Sequence, residues 1–344
     1  MADSDSEFAS VVDEKVASQP FDDPDADLII RTSDEVDFRV YKIIMKHASP
    51  VFREMFTLPG NDTTALSVVD VAENSRVWDF ILRMLYPVVR PLSLPAPSDY
   101  RPLLEAVRKY DMAGVREAVK LAMIDPAVLK TQALRVYALS CAYGLPDAAR
   151  IAAKATFQPW PGDQRPPPAF PDMDCMSVTA YHRLLQYRWD CVKAAVASHR
   201  GLFDPLPTPP SWDPKLKKYL PSLPQWPWLT AIKPNHYSHT DGCMCSKIRE
   251  DSGIRSYVDR YIGRSSKVLR AEPSGALVTT TQAIGPMLKA VAECWGCKEM
   301  DSDGFVRFAG VYAQNVDAAV ARVRTTEDAI CHPLTKDYKV VLEV

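Results

Sequence analysis

A chain of 344 residues is long enough for two or three domains, each with its own core. Apolar residues make up 47% and charged residues 24%, which excludes a wholly disordered, collagen-like or disulfide-scaffold protein. No run approaches the ~20 apolar residues of a membrane span, and Met1 to Glu7 lack the features of a secretory signal. The expectation is a cytoplasmic or nuclear chain with no membrane contact.

Net charge is −2, but it is unevenly spread. Residues 1–27 hold nine acids against Lys15 alone, so this end carries −8 and the remainder +6. Such composition predicts a disordered acidic tail over residues 1–20, and the mildly positive remainder offers no basic stripe for nucleic acid. Eight cysteines in a reducing compartment read as thiols, metal ligands or redox groups before disulfides. Glycine is sparse at 13 residues, and no phosphate-cradling loop, nucleophile elbow, zinc-protease motif or kinase motif set is present. A non-enzymatic chain is expected.

In chain order, Asp27 to Thr32 and Val36 to Val40 read as strands joined by the polar turn Ser33-Asp34-Glu35. Val36, Phe38 and Val40 alternate with Asp37 and Arg39, the period of a half-buried strand, so a hairpin is predicted. Ser49-Pro50 has the form of a helix entry, followed by Val51, Phe52, Met55 and Phe56 at helical spacing, with Pro59 to Asp62 as its stop. Leu66 to Val71 reads as a further strand. Ser75 is expected to cap a helix carrying Val77, Trp78, Ile81, Leu82 and Leu85. Helices follow at 99–110, 113–124, 131–143 and 146–158, with Gly144 between the last two. The expected core is Ile29, Phe38, Val40, Ile44, Phe52, Phe56, Val68, Ile81, Leu82, Leu85, Leu104 and Val107.

Phe21 to Arg31, Val36 to Lys42, Ser49 to Phe56 and Ala106 to Met112 fall in an order that resembles a BTB (POZ) domain, particularly its fungal branch, over roughly residues 21–124. Residues 125–158 are similar to the helical extension that often follows such domains. The resemblance implies a small sheet beside a helix cluster, no catalysis, and a role in self-association or partner recruitment. Some members join a cullin scaffold to a ubiquitin-ligase substrate. Two positions depart from the family pattern: Tyr41 replaces the histidine often found before the lysine, and Thr57 to Thr64 holds no apolar-x-Glu triplet of the kind cullin binders carry.

Proline punctuates the rest, with six between 159 and 171 and eight between 205 and 227. These stretches predict linkers at 159–175 and 202–234, a helix at 176–201 and a mainly helical module at 235–344. Val178, Tyr181, Leu185, Val192 and Val196 would share the buried face of the 176–201 helix. Stripes at Ile254 to Ile262, Ile284 to Val291 and Phe308 to Val323 predict further helices, and Tyr338 to Val344 a short strand.

Three constellations could carry chemistry. Cys243, Cys245, Cys294 and Cys297, with His236 or His239 as substitutes, form two pairs of ligands suited to one structural zinc; free thiols are the plainer alternative. A redox role for Cys294-Trp-Gly-Cys297 is disfavoured, because the preceding stripe places Cys294 at a helix C-terminus, where the dipole raises a thiol pKa. Arg165, Pro168 and Pro171 spell a basic residue followed by P-x-x-P, the ligand form of Src-homology-3 domains, although a stiff spacer explains the same residues. The reading that follows is a helix-dominated α+β protein, a BTB-like domain followed by a mainly α region. Its expected role is a homo-oligomeric protein scaffold or adaptor, with a cullin-linked substrate receptor as the alternative.

Overall fold

The computed structural model describes residues 15–58, 66–87, 95–158, 160, 165–202, 256–292 and 302–323. The chain divides into two compact units, residues 1–132 and 133–344.

A hairpin founds the first unit. β2 (Leu28–Arg31) and β3 (Val36–Val40) pair antiparallel, with Leu28 opposite Val40 and Arg31 opposite Asp37. That last pair is also a two-pronged ion pair, with both N–O contacts at 2.7 Å. The turn closes through Thr32, whose hydroxyl donates to Asp34 and accepts the Val36 N–H, while Glu35 takes a φ of 60°. β4 (Ser67–Asp70) joins β2 in parallel and β1 (Lys15–Val16) joins β3 in parallel, so the sheet order is β1-β3-β2-β4.

Residues 15–20 therefore do not belong to a disordered tail. The free edge of β3 supplies backbone partners, the Ala17 N–H donates to the Asp37 carbonyl at 2.9 Å, and Ala17 is buried. Val68 also departs from expectation: it is 46% exposed, since β4 lies at the sheet edge and turns alternate side chains outward, and Val71 is buried in its place.

The hairpin leads into α1 (Lys42–Ala48) and α2 (Pro50–Met55). Ser49 caps α2 by accepting the Phe52 N–H at 3.2 Å and, fully buried, donates its hydroxyl to the Tyr110 carbonyl. After β4 comes α3 (Ser75–Leu85), capped by Asn74 and not by Ser75. Asn74 accepts the Val77 N–H, whereas the Ser75 hydroxyl and N–H are both taken by Asp34 across the sheet turn. α4 (Tyr100–Lys109) and α5 (Ala113–Met123) complete the cluster over a core of Phe21, Leu28, Ile30, Phe38, Met45, Phe52, Trp78 and Tyr100. Of the expected core, Ile44, Phe56 and Leu85 are only half-buried.

α6 (Pro126–Ala142) holds the division between the two units. α7 (Pro146–Ala155) follows the stop at Gly144, whose φ is 64°. The second unit continues with α8 (Val178–Ala197), α9 (Ser256–Ala271), α10 (Gly275–Val278), α11 (Thr281–Ala292) and α12 (Ser302–Arg322). Within the stretch expected as a linker at 159–175, Pro171–Cys175 forms a 3-10 turn, and Asp172 is buried against Arg135.

α8 is rotated from its expected orientation. It buries Ala180, Leu184, Arg188, Cys191 and Ala195, whereas Val178 is 86% and Trp189 68% exposed and Leu185 also faces solvent. Cys191, Ala195 and Leu202 join Tyr257, Tyr261, Met287, Phe305, Phe308 and Tyr312 in one core. Small side chains let α8 approach closely, which outweighs the larger apolar stripe on its other side.

Candidate protein-interaction surface

Two neighbouring features mark the first unit where β3 gives way to α1. Tyr41 is the N-cap of α1 and provides no side-chain cap itself. Its own N–H donates to the Tyr86 hydroxyl at 2.7 Å, and the Lys42 N–H donates to Asp27 at 2.7 Å, so the first turn is capped from outside the helix. The Tyr41 hydroxyl donates to Asp23 at 2.5 Å. That hydrogen bond holds the Asp23 carboxyl below its ordinary range, and the same contact, with the charges of Asp25 and Asp27, holds the Tyr41 hydroxyl above its own. Burial pushes Tyr86 up to about 12, and its ring meets Phe21 edge-on at 5.5 Å. Tyr41 thus serves to fasten the segment 21–27 to the start of α1.

The second feature is the α1–α2 face. Ile43 is 58% exposed, and Val51 and Leu58 also face solvent. Val51, Met55 and Leu58 are spaced for one side of α2 and its exit. The Phe56 ring is half-buried beneath Lys42 and Lys46, whose ammonium groups lie 5.9 and 5.8 Å from its centroid. Arg53 Nε donates to the Lys46 carbonyl at 3.2 Å and ties α2 to α1. Apolar side chains interleaved with cations suit a protein partner better than a small molecule, which needs a concave pocket.

A part-buried network around Glu73 fixes the helices. Glu73 accepts from the Tyr110 hydroxyl at 2.9 Å, from Lys109 at 3.1 Å and from the Trp78 indole at 3.4 Å. Burial first and the Glu73 charge second raise the Tyr110 pKa. Tyr110 in turn stacks on Phe52 at 5.2 Å. The first unit thus combines a four-stranded sheet of order β1-β3-β2-β4, a hairpin feeding two short helices, and a helix cluster.

Residues 20–126 match the family model of the BTB/POZ domain. No curated protein matches the chain. BTB/POZ domains generally mediate protein–protein interaction and oligomerisation. The fold as a whole is a helix-dominated α+β arrangement, with the BTB/POZ domain followed by a mainly α region.

The residues singled out from sequence fall unevenly. Cys243, Cys245, Cys294, Cys297, His236 and His239 lie outside the described residues, as do the turn at Pro59 to Asp62 and the strand at Tyr338 to Val344. Among the described residues, no three His, Cys, Asp or Glu side chains are grouped to hold a metal ion, and no helix is long and apolar enough to cross a membrane. Arg165, Pro168 and Pro171 are exposed, and Pro171 opens the 3-10 turn. The α1–α2 face was not singled out from sequence. Its signal was present in Ile43 and Leu58, two large apolar residues set among Lys42, Lys46 and Arg53.

Proposed function

We propose that the chain is a non-enzymatic scaffold or adaptor that self-associates and recruits protein partners through its BTB/POZ domain. The match over residues 20–126 carries this reading, and the exposed apolar and cationic α1–α2 face agrees with it. Light scattering of the full-length protein across a dilution series tests it: particles of more than one chain at the higher concentrations are expected, and a single-chain mass throughout would sink the self-association claim.

The alternative, a substrate receptor for a cullin ubiquitin ligase, has less support, because Thr57 to Thr64 lacks the apolar-x-Glu triplet. A cullin recovered with the protein from its native cells, and lost when the surface from Phe56 to Thr63 is altered, would favour that alternative.

Two smaller proposals rest on sequence alone. One structural zinc is assigned to Cys243, Cys245, Cys294 and Cys297, with His236 or His239 able to replace a thiolate. Metal analysis after chelator-free reducing purification should find about one zinc per chain, lost in Cys294→Ser with Cys297→Ser. Arg165, Pro168 and Pro171 are assigned as a candidate ligand for a Src-homology-3 domain, with a stiff spacer as the simpler reading.

A further inference from the structure

We propose that the acidic segment Asp3 to Glu14 folds back onto the α1–α2 face of its own chain. The face is cationic and apolar at once: Lys42 and Lys46 stand over Phe56, Arg53 is held to the Lys46 carbonyl, and Ile43 on α1, Val51 on α2 and Leu58 at the α2 exit are exposed. None of the three cations has a carboxylate partner among the described residues; Asp27 binds the Lys42 backbone N–H and leaves its ammonium group free of that carboxylate. Cations left over an aromatic ring gain most from an anion that also brings apolar surface.

Residues 1–14 have that chemistry. They contain Asp3, Asp5, Glu7, Asp13 and Glu14 with no lysine or arginine, and Phe8, Val11 and Val12 lie between the acids. They outweigh the three cations of the face, so the match is one of charge and of apolar content together.

The tether has the right length. Lys15 sits opposite Val36, at the start of β3, and Lys42 begins α1 just past the other end of that strand. Six residues of extended chain put the two about 20 Å apart. A coil of eight to twelve residues, the stretch from Lys15 back to the first acids, has a root-mean-square span of roughly 16–19 Å. When tether and span match, the effective concentration of the attached segment is near its maximum, in the millimolar range. The segment of the same chain therefore outcompetes that of a second copy at ordinary protein concentrations. The proposal goes beyond the scaffold reading and stands without it, since self-association is read from particle mass and docking from covalent links.

A zero-length cross-link tests it. Full-length protein, mixed from normal and isotopically heavy preparations, is treated with a carbodiimide, which converts a carboxyl to an O-acylisourea; a touching lysine amine attacks the acyl carbon, forms the amide and expels a urea that carries off the elements of water. Links from Lys42 or Lys46 to an acid between Asp3 and Glu14, all within a single isotopic species, are expected. Their yield should fall about tenfold between about 20 mM and about 500 mM salt, because exposed charges are screened over that range. Lys42→Glu with Lys46→Glu should abolish them, and adding Asp3→Lys, Asp5→Lys and Glu7→Lys should restore links of reversed polarity. Links of mixed isotope would assign the face to a second copy and overturn the proposal. So would the absence of links to either lysine, or links indifferent to salt and to charge reversal.

Discussion

Arg188→Ala should be among the most damaging single substitutions in the second unit, costing about 3–5 kcal/mol, the range seen when a buried charged anchor is removed. Arg188 is only 5% exposed. Its guanidinium is sandwiched between the Phe157 and Trp160 rings, 4.3 and 4.0 Å from their centroids. It donates to the Thr156 hydroxyl at 2.7 Å and to the Trp160 carbonyl. Among the described residues no carboxylate neutralises it. Burial lowers its pKa to about 10, so it stays charged at neutral pH, and two ring faces and the carbonyl-rich C-terminal end of α7 stand in for a counter-ion. Alanine would leave a cavity between two rings and take the guanidinium donor away from the Trp160 carbonyl. Lysine keeps the charge but not the flat, forked donor, so Arg188→Lys should recover less than half of the loss. Hydrogen exchange followed by mass reads this locally: protection in α7 and α8 should drop by at least about a hundredfold in Arg188→Ala, with β2 and β3 unchanged. Unchanged protection in α8 would show that the clamp contributes little.

Gly275→Ala tests a different limit, that of space. The Gly275 N–H donates to Asp317 at 2.8 Å, which draws the start of α10 onto α12. A Cβ at Gly275 would lie 2.2 Å from the Ala313 carbonyl oxygen and 2.7 Å from Asp317 Oδ2. The nearer obstacle is helix backbone, which cannot swing away as a side chain can, so α10 must lift from α12. The expected cost is about 3 kcal/mol, at the upper end for overpacking, measured as a fall in the denaturation midpoint of the second unit. Gly310→Ala on α12 is the matched control. Nothing lies within 4 Å of its added Cβ, and removing a glycine from a helix interior should stabilise by about 1 kcal/mol. Equal and small effects at both positions would contradict the close approach of α10 to α12.

Much of the first unit was legible because its signals are local. Alternation over Val36 to Val40, the polar turn at Ser33 to Glu35 and the Ser49-Pro50 entry each depend on neighbours in sequence, and each forms as expected. Errors arose where a distant partner decided the outcome. Ser75 could have capped α3, but Asp34 claimed its hydroxyl and Asn74 took the role. Val68 looked like core until its strand proved to be an edge. α8 is the clearest case: Val178, Leu185 and Trp189 form the more apolar stripe, yet the buried side is lined by alanines, Cys191 and a charged Arg188. Hydrophobicity ranks side chains one at a time, whereas burial rewards close fit and satisfied hydrogen bonds. The interaction face was hidden for the same reason, since nothing in the spacing of Lys42, Lys46 and Phe56 announces that they meet.

The mixed sheet also sets an order of events during synthesis. β2 and β3 are joined by a four-residue turn and can pair within microseconds of leaving the ribosome. The other side of β2 must wait for β4, which ends at Asp70, thirty residues after the end of β3 at Val40. At about 5–20 residues per second that delay is roughly 2–6 s. For those seconds Leu28 to Arg31 expose an unpaired strand edge in the nascent chain, with α1 and α2 already made but unable to cover it until the sheet is complete. This interval, more than any weakness of the finished domain, is where a chaperone would be needed.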